Sequence, residues 1–132
     1  MHLSIVPFYA ALLAAFYIFL SVRVVRIRRQ EKVGIGDANN VRLRRAIRAH
    51  GNFAEYVPLA VILTAFVEIQ QFAAIIVHAL CWILIIGRLI HAYGVSQEKE
   101  DYRFRVAGMV LTFASIAISA LLLLGSFAAK VL

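Results

Sequence analysis

Arg48, Asn52 and Glu55 are spaced four and three residues apart, which on a helix puts them within about 60° of one another on one face. Beyond Glu55 only the 12 residues Tyr56 to Val67 are uncharged before Glu68. A hydrocarbon core of about 30 Å needs about 20 helical residues. A helix that spans here must therefore start near Arg48 and carry all three polar residues with it. A charge at membrane depth costs about 2.5–3.5 kcal/mol on insertion scales, so such residues face protein or a wet cavity. Arginine forks match carboxylates bidentately, and a buried glutamate needs an ammonium or a guanidinium. Glutathione, with two carboxylates, an ammonium and a thiol, is one ligand of that description. An arginine beside its sulfur would favour the thiolate, the nucleophilic form. The competing reading is an intramembrane Arg–Glu pair that only fixes helix packing.

The composition dictates what positions these residues. The chain has 132 residues, of which 63% are hydrophobic, against about half in a soluble domain. Mean hydropathy is +0.85. An integral membrane protein of a single domain, residues 1–132, is expected, all-α, with helices over about 3–25, 42–67, 69–93 and 103–129. The net charge of +7 does not indicate nucleic acid, because the cations cluster at the ends of apolar runs instead of interleaving with aromatics on a polar surface. The single cysteine, Cys81, excludes an internal disulfide and a thiolate-clustered metal site; beside Trp82 it reads as a packed thiol, and no metal site is expected.

Leu3 to Val22 carries no charge and is followed by Arg23, Arg26, Arg28 and Arg29. A secretory signal has its cations before the apolar run, so this segment reads as a retained membrane helix. The connection to about Val41 is basic and holds Gly34, Gly36, Asp37, Asn39 and Asn40 as turn formers; a solvated loop against anionic headgroups is its plain reading. Pro58 lies inside the second span and cannot donate to the Ala54 carbonyl, so a kink is expected there. Glu68, Gln70 and Gln71 read as a polar turn. In the third span His78 is expected to be satisfied by a neighbouring helix. Arg88 and His91 lie one turn apart at its end, where snorkelling to the headgroups would explain Arg88. In the fourth, Gly108, Thr112, Ser115 and Ser119 continue the face of Arg105, a small-residue stripe that favours close helix packing.

Thirteen of the fourteen Lys and Arg residues fall in 23–48 and 88–105; only Lys130 lies elsewhere. The positive-inside rule then makes both basic connections cytoplasmic and both termini external.

Arg48-Ala49-His50-Gly51-Asn52-Phe53-Ala54-Glu55-Tyr56-Val57-Pro58 resembles the second-helix signature of the membrane-associated proteins in eicosanoid and glutathione metabolism, the MAPEG family. That family includes microsomal glutathione transferases, leukotriene and prostaglandin synthases, and a non-catalytic lipoxygenase-activating protein. The likeness extends along essentially the whole chain and is nearest to the small bacterial inner-membrane members. It implies a homotrimer of four-helix subunits with glutathione, as co-substrate, between neighbouring subunits near the cytoplasmic side. It implies glutathione contacts from Arg48, Asn52, Glu55 and Tyr56, from Arg88 and His91, and from one of Arg26, Arg28 and Arg29, of which Arg28 stands as the candidate. Arg105, or Arg103 on a shifted alignment, resembles the arginine credited with stabilising the thiolate. The implied function is a glutathione transferase or peroxidase acting on hydrophobic electrophiles or lipid hydroperoxides; the alternative is a non-catalytic lipid-binding or scaffold protein on the same fold. Three positions depart from the family pattern. Arg44 stands where several members have Glu, Val95 where catalytic relatives have Tyr, and Val106 where the prostaglandin enzyme has Ser. These departures weaken a specific claim to eicosanoid synthesis.

Overall fold

A computed structural model describes residues 3–99 and 101–131. It contains four helices, α1 (Ile5–Glu31), α2 (Val41–Ile69), α3 (Ala74–Ser96) and α4 (Tyr102–Val131), and no strand among the described residues. Each helix is long and apolar enough to cross a membrane. α2 packs on α1, α3 and α4, and α3 packs on α1 and α4, which leaves α1 and α4 on opposite sides of the α2–α3 pair.

The seam between α3 and α4 is the closest. Gly108, Thr112, Ser115 and Ser119 are the residues that α4 buries, so the small-residue stripe is a helix–helix interface as expected. A Cβ on Gly108 would stand 2.5 Å from both the backbone nitrogen and the Cβ of His91; a side chain there has no room. The hydroxyls bond within the seam: Thr112 donates to the Gly108 carbonyl at 2.8 Å and Ser115 to the Leu80 carbonyl at 3.2 Å. This satisfies polar groups that lipid could not. Elsewhere the bundle is held by apolar contact, with Leu13, Leu20, Phe53, Val57 and Leu84 in one cluster and Val6, Tyr9, Val67, Leu80 and Cys81 in another.

The helix boundaries depart from the hydropathy pattern where polar residues prove helical. α1 continues through its basic run to Glu31, and α3 starts at Ala74, after Gln71 has turned the chain at φ 61°. α2 passes through Pro58 as one helix. Glu68 is the main correction. It belongs to the last turn of α2 and is buried, 9% exposed. Its Oε1 accepts the backbone N–H groups of Ser4 and Ile5, each at 2.7 Å, and its Oε2 accepts that of Val6 at 2.8 Å. α1 has no acidic residue in its first turn, and its N-cap residue Ser4 makes no side-chain cap bond of its own. A carboxylate borrowed from α2 satisfies the orphan donors and faces the positive end of the helix dipole. Lys130 donates to Gln70 Oε1 at 2.5 Å, joining the end of α4 to the α2–α3 turn.

Candidate functional site

The site sits at the other end of the bundle, where α2 begins. Asn40 caps α2, its Oδ1 accepting from the Leu43 N–H at 2.9 Å. The basic run that follows is therefore helical, and Val41, Arg44, Arg45, Arg48 and Asn52 share one side within about 100°. Opposite them the end of α3 contributes His91 and Val95, and the start of α4 contributes Arg105. These residues enclose a cavity of about 210 Å³. Gly94 brings α4 in: a Cβ there would lie 2.9 Å from the Arg105 nitrogen. Arg45 ties α2 to the far wall by donating to the Val95 carbonyl at 3.2 Å and the Glu98 carbonyl at 3.5 Å.

The cavity has four guanidinium side chains in its lining and, among the described residues, no carboxylate. A fifth arginine stands behind it. Arg88 is 2% exposed and points inward, so it does not snorkel to the headgroups. Its Nη1 donates to Asn52 Oδ1 at 2.7 Å, and its Nη2 to the Gly108 carbonyl at 3.5 Å and the Met109 sulfur at 3.4 Å. Its Nε is buried without a hydrogen-bond partner, and among the described residues no carboxylate pairs with it. A buried cation held only by neutral groups leaves desolvation uncompensated. An anion lodged beside Asn52 would relieve it. At the cavity mouth Arg44 Nε meets Asp37 Oδ2 at 2.5 Å, and that guanidinium holds the Asp37 carboxyl below its ordinary range, with help from the Asn39 N–H.

The structure brings Arg48, Asn52, His91 and Arg105 together around one cavity, with Arg88 bonded to Asn52 from behind. Of the two arginines at the start of α4, Arg105 lines the space and Arg103 does not. Glu55 lies outside. It shares the stripe but sits one turn, about 4.5 Å, farther along α2, and its side chain is exposed. Tyr56 turns toward α4 and packs edge-to-face on Phe113 with ring centroids 5.4 Å apart. Arg28 is at the end of α1, donating to the Gly36 carbonyl at 2.8 Å and the Gly34 carbonyl at 3.4 Å; it does not line the cavity. Arg44 and Arg45 line it although the motif did not single them out for contact. Their spacing of four and three residues before Arg48 was the available signal.

Three other residues that the sequence raised lie outside this cavity. His78 Nδ1 lies 2.8 Å from the Tyr9 hydroxyl, which is the neighbouring-helix partner expected. Cys81 is a buried free thiol. Tyr93 is exposed and meets Phe104 edge-to-face at 5.4 Å. A second, larger cavity of about 420 Å³ opens between α1 and α2 and is almost wholly apolar, lined by residues such as Ala14, Tyr17, Phe53 and Pro58.

The model of the MAPEG family matches residues 6–125. The chain is also 37% identical over 113 residues to the inner membrane protein YecN of Escherichia coli K12, an alignment that covers 86% of this chain and 85% of that protein. The same figures hold for YecN of E. coli O6:H1. Four apolar helices and likeness to an inner membrane protein together support placement in a bacterial inner membrane.

Proposed function

Because the chain belongs to the MAPEG family, we propose that it is a glutathione-dependent membrane enzyme that conjugates the thiolate to hydrophobic electrophiles or reduces lipid hydroperoxides. The observation that carries this reading is Arg88, buried with its Nε unsatisfied and with no carboxylate paired to it among the described residues, behind a cavity lined by four further arginines. Such a pocket suits a small ligand with several negative charges, and glutathione with its thiol ionised carries three. Arg48 and Asn52 would hold carboxylate and amide groups of the peptide. Arg105 would stabilise the thiolate electrostatically, raising the fraction of the nucleophilic form at neutral pH. Arg88 would complete the field from below.

The assembly belongs to the same proposal. In a homotrimer with both basic connections cytoplasmic and both termini outside, glutathione would bind at the boundary between subunits. Glu55, exposed beside the cavity, would then meet the ligand ammonium at that boundary, and Tyr56 would border the same site. Arg28 would reach it from the neighbouring copy. A hydrophobic second substrate would enter from the bilayer.

The test is a thiolate titration followed in the ultraviolet. Purified protein with saturating glutathione should develop thiolate absorbance near neutral pH, and Arg105→Leu should abolish it while leaving the protein folded. No signal in the unmodified protein would overturn the enzyme reading. A second reading, a non-catalytic lipid-binding or scaffold protein, is favoured by one observation, the size and apolar lining of the α1–α2 cavity.

A further inference from the structure

A groove of about 340 Å³ lies at the end of α1, on the other side of the chain's basic end, lined by Val25, Arg28, Arg29, Lys32, Val33 and Gly34. We propose that this groove is a binding site for the phosphate of an anionic phospholipid. The groove shares no lining residue with the arginine cavity; Arg28, which the glutathione reading would bring to a neighbouring copy's site, is left unchanged in the test, so the two readings fail separately.

Positions 25, 28, 29 and 32 follow i, i+3, i+4 and i+7, so they form one stripe down the last two turns of α1. Val25, 47% exposed, is the membrane-side member. Arg29 and Lys32 lie about 6 Å and 10 Å farther toward water. An apolar wall below a cationic rim repeats the vertical order of a phospholipid, glycerol and acyl chain below phosphate. A free anion would use only the rim.

The rim is built in advance of any ligand. Lys32 takes the left-handed conformation, φ 54°, and the Val33 N–H returns to the Arg28 carbonyl at 3.0 Å. Val33 packs against the cluster of Ile27, Leu43 and Ala46, which fixes the loop to the bundle. Arg28 spends its guanidinium on the Gly34 and Gly36 carbonyls, covering dipoles that would repel an anion. Arg29 and Lys32 are exposed, and no carboxylate pairs with either among the described residues. The acids nearest in sequence do not compete: Asp37 is held by Arg44, and Glu31 is exposed and does not line the groove. Ile35, 95% exposed between Gly34 and Gly36, sets an apolar side chain beside the cations, which a lipid surface buries and water does not.

The experiment counts bound lipid by native mass spectrometry on the full chain in a neutral detergent. Dioleoyl phosphatidylglycerol and dioleoyl phosphatidylcholine are titrated separately, with inorganic phosphate as competitor. Phosphatidylglycerol should bind in preference, and Arg29→Gln with Lys32→Gln should weaken it by about thirtyfold, the effect of two interfacial cations. Arg29→Lys with Lys32→Arg should retain binding. If the neutralised variant does not fold, raising salt from about 0.05 M to about 0.5 M on the unmodified protein should release phosphatidylglycerol selectively. Equal occupancy by the two lipids, or full binding by the folded neutralised variant, would overturn the proposal. Displacement by millimolar inorganic phosphate would also overturn it, assigning the groove to a soluble anion.

Discussion

Glu55 and Glu68 lie on the same helix, yet the side chain of Glu55 is exposed with no ion pair among the described residues, while Glu68 accepts from the backbone N–H groups of Ser4, Ile5 and Val6 at the start of α1. The contrast extends to the ends of the bundle that each borders. At the Glu68 end, Tyr9 meets His78 and Lys130 meets Gln70, so polar groups find partners inside the chain. At the other end four arginines line a cavity to which the described residues contribute no acid, Arg44 among them pairs with Asp37 outside the lining, and a fifth arginine, Arg88, is buried with its Nε unsatisfied. Desolvating a polar group carries the same cost at either end. A group that recovers it locally is structural. Arg88 alone of the five arginines is both buried and left with an unsatisfied nitrogen and no carboxylate among the described residues, so it is the group on which a ligand would act most.

Three substitutions can break or sharpen that division. Glu68→Ala should have the largest effect, a loss of about 3 kcal/mol, because it strips charge-assisted bonds from several donors at once. A thermal melt in detergent should show this, with glutathione affinity per folded molecule unchanged; an unaltered melting temperature would place Glu68 with the unsatisfied groups. Arg88→Met should act the opposite way. It removes a buried cation that has no counter-charge, so the ligand-free protein should melt no lower, while glutathione binding measured calorimetrically should fall at least tenfold, about 1.4 kcal/mol. A strongly destabilised variant would show that Arg88 is a packing residue. The smallest effect on the fold is expected from Glu55→Gln. Its melting temperature should stay within about a degree, since an exposed side chain with no partner contributes little, and glutathione affinity should drop about tenfold. Unchanged affinity in the folded variant would remove Glu55 from the binding site.

Much of the architecture was legible in advance because the rules behind it are local. Apolar runs of about 20 residues separated by charged connections specify four helices of spanning length, and small residues at Gly108, Thr112, Ser115 and Ser119 mark the face that packs closest. Both readings agree with the structure. Helix ends were less legible, since hydropathy registers where charge begins and not where the helix stops. α1 runs six residues past the expected end at 25, with Arg26, Arg28 and Arg29 in helical geometry.

The motif Arg48, Asn52 and Glu55 was readable as a polar face from periodicity alone, and so was the one-turn spacing of Arg88 and His91. Which of these residues share a cavity was not. Spacing fixes an angle around one helix axis, but a cavity depends on where the partner helices approach along that axis. Gly94 and Gly108 set that approach for α4 and bring Arg105 opposite Arg48 while Glu55 stays outside. The partner of Glu68 lies 62 to 64 residues away in sequence, a distance that no local pattern encodes. The chain by itself therefore determined the number of helices and the polar faces they carry. The tertiary structure decided which of those polar residues meet, Glu68 with the start of α1 and Arg88 with Asn52 behind the cavity, because electrostatic compensation acts between helices whose relative depth only packing sets.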